Sequence, residues 1–132
     1  VASPEYLQKY GIPSVPQDLT AHQLVVFSNS SAKNIWEYID NSGKAVNVNI
    51  NPKVTCNSAS TELSLVKAGY GITRLPRMVC EAELKSGQLI KILENYEKAP
   101  LDFYAIYPSR AHLASKVRAF IDFIVTKFEE MK

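Results

Sequence analysis

The apolar positions of this chain follow two periods, and the switches between them mark out its elements. Ser3-Pro4-Glu5 joins a capping hydroxyl to a first-turn proline and acid, which predicts a helix through Tyr10, stopped by Gly11. Pro13, Pro16 and Asp18 form a turn-rich connector, after which the run Leu24-Val25-Val26-Phe27 predicts a short buried strand. Two alternating segments follow. Ile35, Glu37 and Ile39 oppose Trp36 and Tyr38, then Val46, Val48 and Ile50 oppose Asn47, Asn49 and Asn51, with Asn41-Ser42-Gly43 between them, the pattern of a hairpin with one wet face.

Residues 56–76, CNSASTELSLVKAGYGITRLP, read as one functional unit. A short strand over 53–56 runs into Asn57-Ser58-Ala59-Ser60, and the pattern then changes to helical spacing at Ala59, Leu63, Val66 and Tyr70, which predicts one buried face. Gly69 and Gly71 close the helix, and residues 72–75 predict the next strand, stopped by Pro76. A strand that feeds a helix through small polar residues leaves backbone N–H groups free at the helix start. In open α/β sheets, the carboxyl end of a strand is where small ligands bind.

Beyond this unit, a second helix over about 77–84 ends at Ser86-Gly87, and residues 89–93 predict a strand. A polar link over 94–100 precedes Leu101, Phe103, Ala105 and Tyr107, which alternate as on a strand stopped by Pro108. The last element is a long helix from about Ser115, with Val117, Phe120, Ile121, Ile124, Val125 and Phe128 on one broad apolar face. Strands alternating with helices, plus one hairpin, argue for an α/β domain with a mixed sheet.

Composition narrows the function. At 132 residues the chain suits one domain or a lobe of one, and a net charge of +2 with scattered Lys and Arg is no footprint for DNA or RNA. The longest apolar run is far short of a membrane span, and the first residues lack the basic and apolar regions of an export signal. Two cysteines, Cys56 and Cys80, form neither a disulfide framework nor a zinc spacing, and read as small reduced hydrophobes of a cytoplasmic protein. His22 and His112 have no paired ligand spacing, so no metal is expected. GxSxG, GxxxxGK and HExxH are all missing, and Gly69-Tyr70-Gly71 lacks the third glycine of a dinucleotide fingerprint, so an enzyme is not expected. The abrupt opening at Val1 suggests a segment of a longer protein.

Several residues have a plain structural reading. Ser58 alone reads first as a helix cap. Cys56 reads as a structural thiol, since no base or cation neighbours it in sequence, although a redox or electrophile sensor is the competing reading. Trp36 and Tyr38 cover the core face of the hairpin, and Lys116 and Arg118 lie on a solvated helix face.

An ordered set of segments carries a resemblance. Val1 to Leu7, Gly11-Ile12-Pro13, Pro16-Gln17-Asp18-Leu19 and His22, the Trp36 hairpin, Ala68-Gly69-Tyr70-Gly71-Ile72, Leu75-Pro76, Gly87-Gln88-Leu89, Tyr107-Pro108-Ser109 and Lys116 to Phe123 together resemble the second half of the effector-binding domain of LysR-type transcriptional regulators. Each segment is weak alone, and their order over essentially the whole chain is specific.

The resemblance implies a mixed-sheet, Rossmann-like lobe of a two-lobed domain like the type 2 periplasmic binding proteins, with a C-terminal strand and helix returning to the first lobe. Residues 1–98 are then the second lobe and 99–132 the return, while a winged helix-turn-helix and the start of the first lobe lie outside the chain. It further implies a small effector, expected to be an anion such as a carboxylate, in an interlobe cleft, with no other cofactor. The residues expected to face it are Asn57, Ser58, Ala59 and Ser60, then Ser28 and Asn29, with Pro100 and Leu101 as an apolar wall. Expected partners are the effector, further copies of the same protein as homodimer or homotetramer, and operator DNA only through the N-terminal domain; no membrane is expected. The competing reading is a solute-binding protein of a transport system, which shares the two-lobed fold.

Overall fold

The computed structural model describes residues 1–28, 34–96, 104, 106 and 114–130. It divides into two units, Val1–Ala99 and Pro100–Lys132. The first opens with α1 (Pro4–Tyr10), begun and ended as its sequence dictates: Ser3 Oγ accepts from the Tyr6 N–H at 3.3 Å, and the Gly11 N–H donates to the Leu7 carbonyl at 2.9 Å with φ of 87°. A 3-10 turn over Pro16–Ala21 follows, its entry pinned by Asp18, whose carboxylate accepts from the N–H groups of Ser14 and Val15.

Four strands come next, β1 (Val25–Phe27), β2 (Ile35–Ile39), β3 (Ala45–Asn49) and β4 (Val54–Cys56). β2 and β3 form the antiparallel hairpin, pairing Trp36 with Val48 and Tyr38 with Val46 on one face. The 40–44 loop is tied by Asp40, whose carboxylate accepts from the N–H groups of Ser42 and Lys44, both at 2.9 Å, and from the Ser42 hydroxyl at 2.6 Å.

β1 pairs in parallel with β4, Val26 opposite Thr55, and on its other side Leu24 pairs in parallel with Ile72. Ladder bonds extend the sheet further: Thr73 and Val1 exchange bonds at 3.0 and 2.8 Å, and Ala2 and Ile90 at 3.1 and 2.8 Å. The sheet therefore runs 90, 2, 72, β1, β4, with the segment at Val1 and Ala2 opposed to the rest. Segments 72–75 and 89–93 each contribute a brief ladder contact in place of the expected strand. Their shared neighbour stops extending at Ser3, which caps α1, and Leu93 takes a φ of 56° that breaks the extended run.

The continuous apolar run of β1 is explained by burial on both faces. Leu24 and Val26 enter a core with Ala2, Tyr6, Leu7, Leu19, Trp36, Tyr38, Val48, Ile50 and Ile72. Val25 points the other way, into a second core with Val66, Cys80 and Leu89, covered by α2 (Ala59–Lys67) and α3 (Arg77–Ser86). Each fully buried aliphatic side chain here contributes about 1.5–3 kcal/mol.

α2 ends in a Schellman motif, Gly69 donating to Val66 at 3.0 Å and Tyr70 to Leu65 at 3.1 Å. That left-handed turn takes Tyr70 off the helical stripe, leaving it 54% exposed. The buried positions of α2 are Glu62 and Val66. In the second unit, α4 (Ser115–Glu130) keeps Ile121, Ile124 and Phe128 partly buried and leaves Val117, Phe120, Phe123 and Val125 exposed. The alternating segment expected around 101–107 lies outside the described residues apart from Tyr104 and Ile106, both exposed, and His112 also lies outside them. Among the described residues no helix is long and apolar enough to cross a membrane.

Candidate functional site

β1, β4 and the segment at Ile72 run the same way, so their carboxyl ends share one edge of the sheet. Ser28 leaves β1 there, its N–H donating to the Cys56 carbonyl at 2.8 Å, so the ends of β1 and β4 are held together. Asn57 and Ser58 leave β4 beside it. The structure thus brings Ser28, Asn57, Ser58, Ala59 and Ser60 to one edge; Asn29, Pro100 and Leu101 lie outside the described residues.

Ser58 is the N-cap of α2, with φ −132° and ψ 124°. Its Oγ accepts from the Thr61 N–H at 3.5 Å, a long bond, and lies 2.8 Å from the Ser60 hydroxyl. The hydroxyl pair is exposed, and the first-turn N–H groups of α2 have no intrahelical acceptor. A cluster of donors at the positive end of a helix suits an anion or a polar oxygen.

Neither cysteine is an activated nucleophile. Burial, then the charge of Glu62, pushes the Cys56 thiol up, and burial does the same to Cys80, so both stay protonated at neutral pH. Among the described residues no group of three His, Cys, Asp or Glu could hold a metal ion. His22 packs internally: the Tyr6 hydroxyl lies 3.2 Å from its Nδ1.

Sequence reasoning missed Arg74. It follows Thr73 at the same edge, with its Cζ 5.6 Å from the Trp36 ring centroid and 5.1 Å from that of Tyr38. The available signal was a period-two step: Ile72 and Arg74 share a face while Thr73 faces the other way. Trp36 and Tyr38 are buried at 6% and 9% exposure, as the alternation of β2 predicts.

The likeness to known proteins is extensive. The family model of the LysR substrate binding domain matches residues 1–129. An uncharacterized HTH-type transcriptional regulator of Haemophilus influenzae is 36% identical over 120 residues, covering 88% of this chain and 40% of the relative. The chain thus spans well under half the length of that curated relative. Among solved structures, the regulatory domain of CrgA, a LysR-type transcriptional regulator from Neisseria meningitidis, superposes with a TM-score of 0.78 at 32% identity, over 96% of this chain and 61% of that one. The full-length Vibrio cholerae virulence activator AphB, a member of the LTTR family, gives 0.81 at 28% identity, over 96% of this chain and 43% of that one. The matched residues include the sheet edge described above, and the chain belongs to the LysR substrate-binding domain family of transcriptional regulators.

Proposed function

We propose that this chain is the effector-sensing part of a LysR-type regulator, taking a small anionic molecule at the carboxyl edge of its sheet. The observation that carries the reading is the juxtaposition of Ser28 with the exposed Ser58 and Ser60 hydroxyls and the open first turn of α2. For Asn29, Pro100 and Leu101 the family resemblance is the only support.

The effector acts as a switch by binding one arrangement of the regulator more tightly than another; equal affinity would shift nothing. Operator DNA is contacted by a winged helix-turn-helix and not by this chain, whose net charge is only +2. Homodimers or homotetramers in the cytoplasm complete the reading, and no catalytic step is assigned. The regulator names of the relatives favour it over a transport solute-binding protein.

The test is calorimetry on the intact regulator with small carboxylates. A Ser58→Ala variant that keeps its helix content and loses affinity supports the site, whereas undiminished binding removes the Asn57–Ser60 turn from it.

A further inference from the structure

We infer that Arg74 is the residue that reads charge in this site, its guanidinium set to receive the carboxylate of the effector. The inference rests on the carboxyl edge of the sheet being the effector site, and adds to it the chemical group recognised and the residue responsible.

The contacts fix where Arg74 stands. Two residues beyond Ile72, which pairs with Leu24, its guanidinium lies against Trp36 and Tyr38 of the core that holds Leu24 and Ile72, while Thr73 before it is buried against Glu62. Arg74 is exposed at the edge where β1 hands over to Ser28 and β4 to Asn57. The hairpin supplies the rest. Trp36 and Tyr38 are core residues locked by pairing with Val48 and Val46, so the rings beneath the guanidinium have nowhere to go. A guanidinium lying against two fixed rings loses much of the rotamer freedom that an arginine otherwise surrenders on binding.

Among the described residues nothing accepts a hydrogen bond from its guanidinium. Lys67 lies 3.1 Å from Glu83, Arg77 and Lys85 lie 3.9 and 3.2 Å from Glu81, and Lys91 lies 3.8 Å from Glu94. Arg74 has no such carboxylate among the described residues, and the rings that hold it accept none of its five in-plane N–H donors. An arginine placed only to roof the aromatic core would lose nothing by finding a surface glutamate. One held by its flank, at an edge furnished with Ser28, Ser58 and Ser60, leaves its fork for a planar two-oxygen acceptor. Lysine could supply the charge there but not the fork.

The experiment titrates the intact regulator with benzoate and succinate and with their neutral amides, benzamide and succinamide, by calorimetry. Arg74→Met, Arg74→Lys and Ser58→Ala are tested alongside, each first checked for native circular dichroism and thermal melting. The expected result is binding of a carboxylate over its amide by the parent protein, a loss of about ten- to a hundredfold in Arg74→Met, and a smaller loss in Arg74→Lys. Unchanged affinity in Arg74→Met with weakened affinity in Ser58→Ala overturns the role of Arg74 and keeps the edge as the site. Unchanged affinity in both variants overturns the edge as well. Equal binding of acid and amide, or no binding of either acid by the parent, overturns charge recognition outright. If Arg74→Met fails to fold, Arg74→Lys decides alone, since full retention of affinity there removes the fork from the argument.

Discussion

The hydroxyl of Thr73 donates to the carboxyl group of Glu62, tying the sheet to α2 directly behind the turn that opens toward the proposed site. Both residues are buried, Glu62 at 3% exposure. Burial is the largest influence on Glu62 and pushes its carboxyl up, against the lowering effect of the Thr73 bond. The folded state therefore holds the Glu62 proton to higher pH than the unfolded chain does, so its contribution to stability is greatest below the ordinary value of 4.5 and is lost as pH rises through the folded value. Glu62→Gln keeps an acceptor for Thr73 and removes the charge. Urea unfolding from pH 4 to 8 is expected to show the variant gaining on the parent protein as pH rises; parallel curves would show that Glu62 does not titrate in this window. Thr73→Val, which strips the carboxyl of its donor, is expected to cost about 1–3 kcal/mol.

Gly71 makes a second, sharper demand. A Cβ at this position would lie 2.3 Å from the Gln23 carbonyl oxygen, which is the acceptor of the Ile72 N–H and so cannot retreat without breaking the sheet. Gly43, in the hairpin loop with φ of 82°, has nothing within 4 Å. Gly71→Ala is accordingly expected to cost about 3 kcal/mol through forced displacement of backbone. Gly43→Ala should cost about 1–2 kcal/mol, from its backbone conformation alone. Chemical denaturation of the two variants separates these outcomes, and equal losses would mean that the approach of Gly71 to Gln23 is relieved at no cost.

Much of this architecture could be read from local signals, because those signals act locally. The Ser3 cap and Gly11 stop bound α1, Gly87 ends α3 with a φ of 74°, and the Trp36 and Tyr38 alternation sets the register against Val46 and Val48. What escaped depended on partners distant in sequence. Residues 72–75 and 89–93 have strand-like composition, but how far a strand extends depends on its neighbour, and Ala2 gives way to a helix cap one residue later. Tyr70 continued the apolar spacing on paper, but Gly69 had already turned the chain. The Ser58 turn was legible from residue type and order as a helix cap at the carboxyl end of a strand. Arg74 was not, because its meaning comes from a hairpin some thirty-six residues earlier that lays two rings beneath it.

The hairpin loop offers a test of Asp40. Its carboxylate accepts three bonds from Ser42 and Lys44, and these, led by the Ser42 hydroxyl, hold it below the usual carboxylate range. The bonds stabilise the loop above the unfolded value of 3.8 and are lost as pH falls through the folded value. Asp40→Ala is expected to speed amide hydrogen exchange at Ser42 and Lys44 selectively, with the Trp36 and Val48 amides protected as before. Equal acceleration along the hairpin would place the anchor in strand pairing instead.

Tyr6 and His22 join α1 to the entrance of β1. The Tyr6 oxygen accepts the Gln23 N–H at 2.9 Å and lies 3.2 Å from His22 Nδ1, so one hydroxyl ties the ring to the backbone. Burial lowers the His22 value below 6.5, outweighing the nearby Asp18 carboxylate, which raises it. The neutral ring is therefore the folded form, and its contribution is present above pH 6.5 and lost as pH falls toward the folded value. Tyr6→Phe removes the hydroxyl from both partners and leaves the Gln23 N–H without an acceptor, at an expected cost of about 1–3 kcal/mol. An NMR titration of the parent protein should find His22 titrating below 6.5. A value above it would mean that Asp18 outweighs burial and would reverse the expected sign of the stability change.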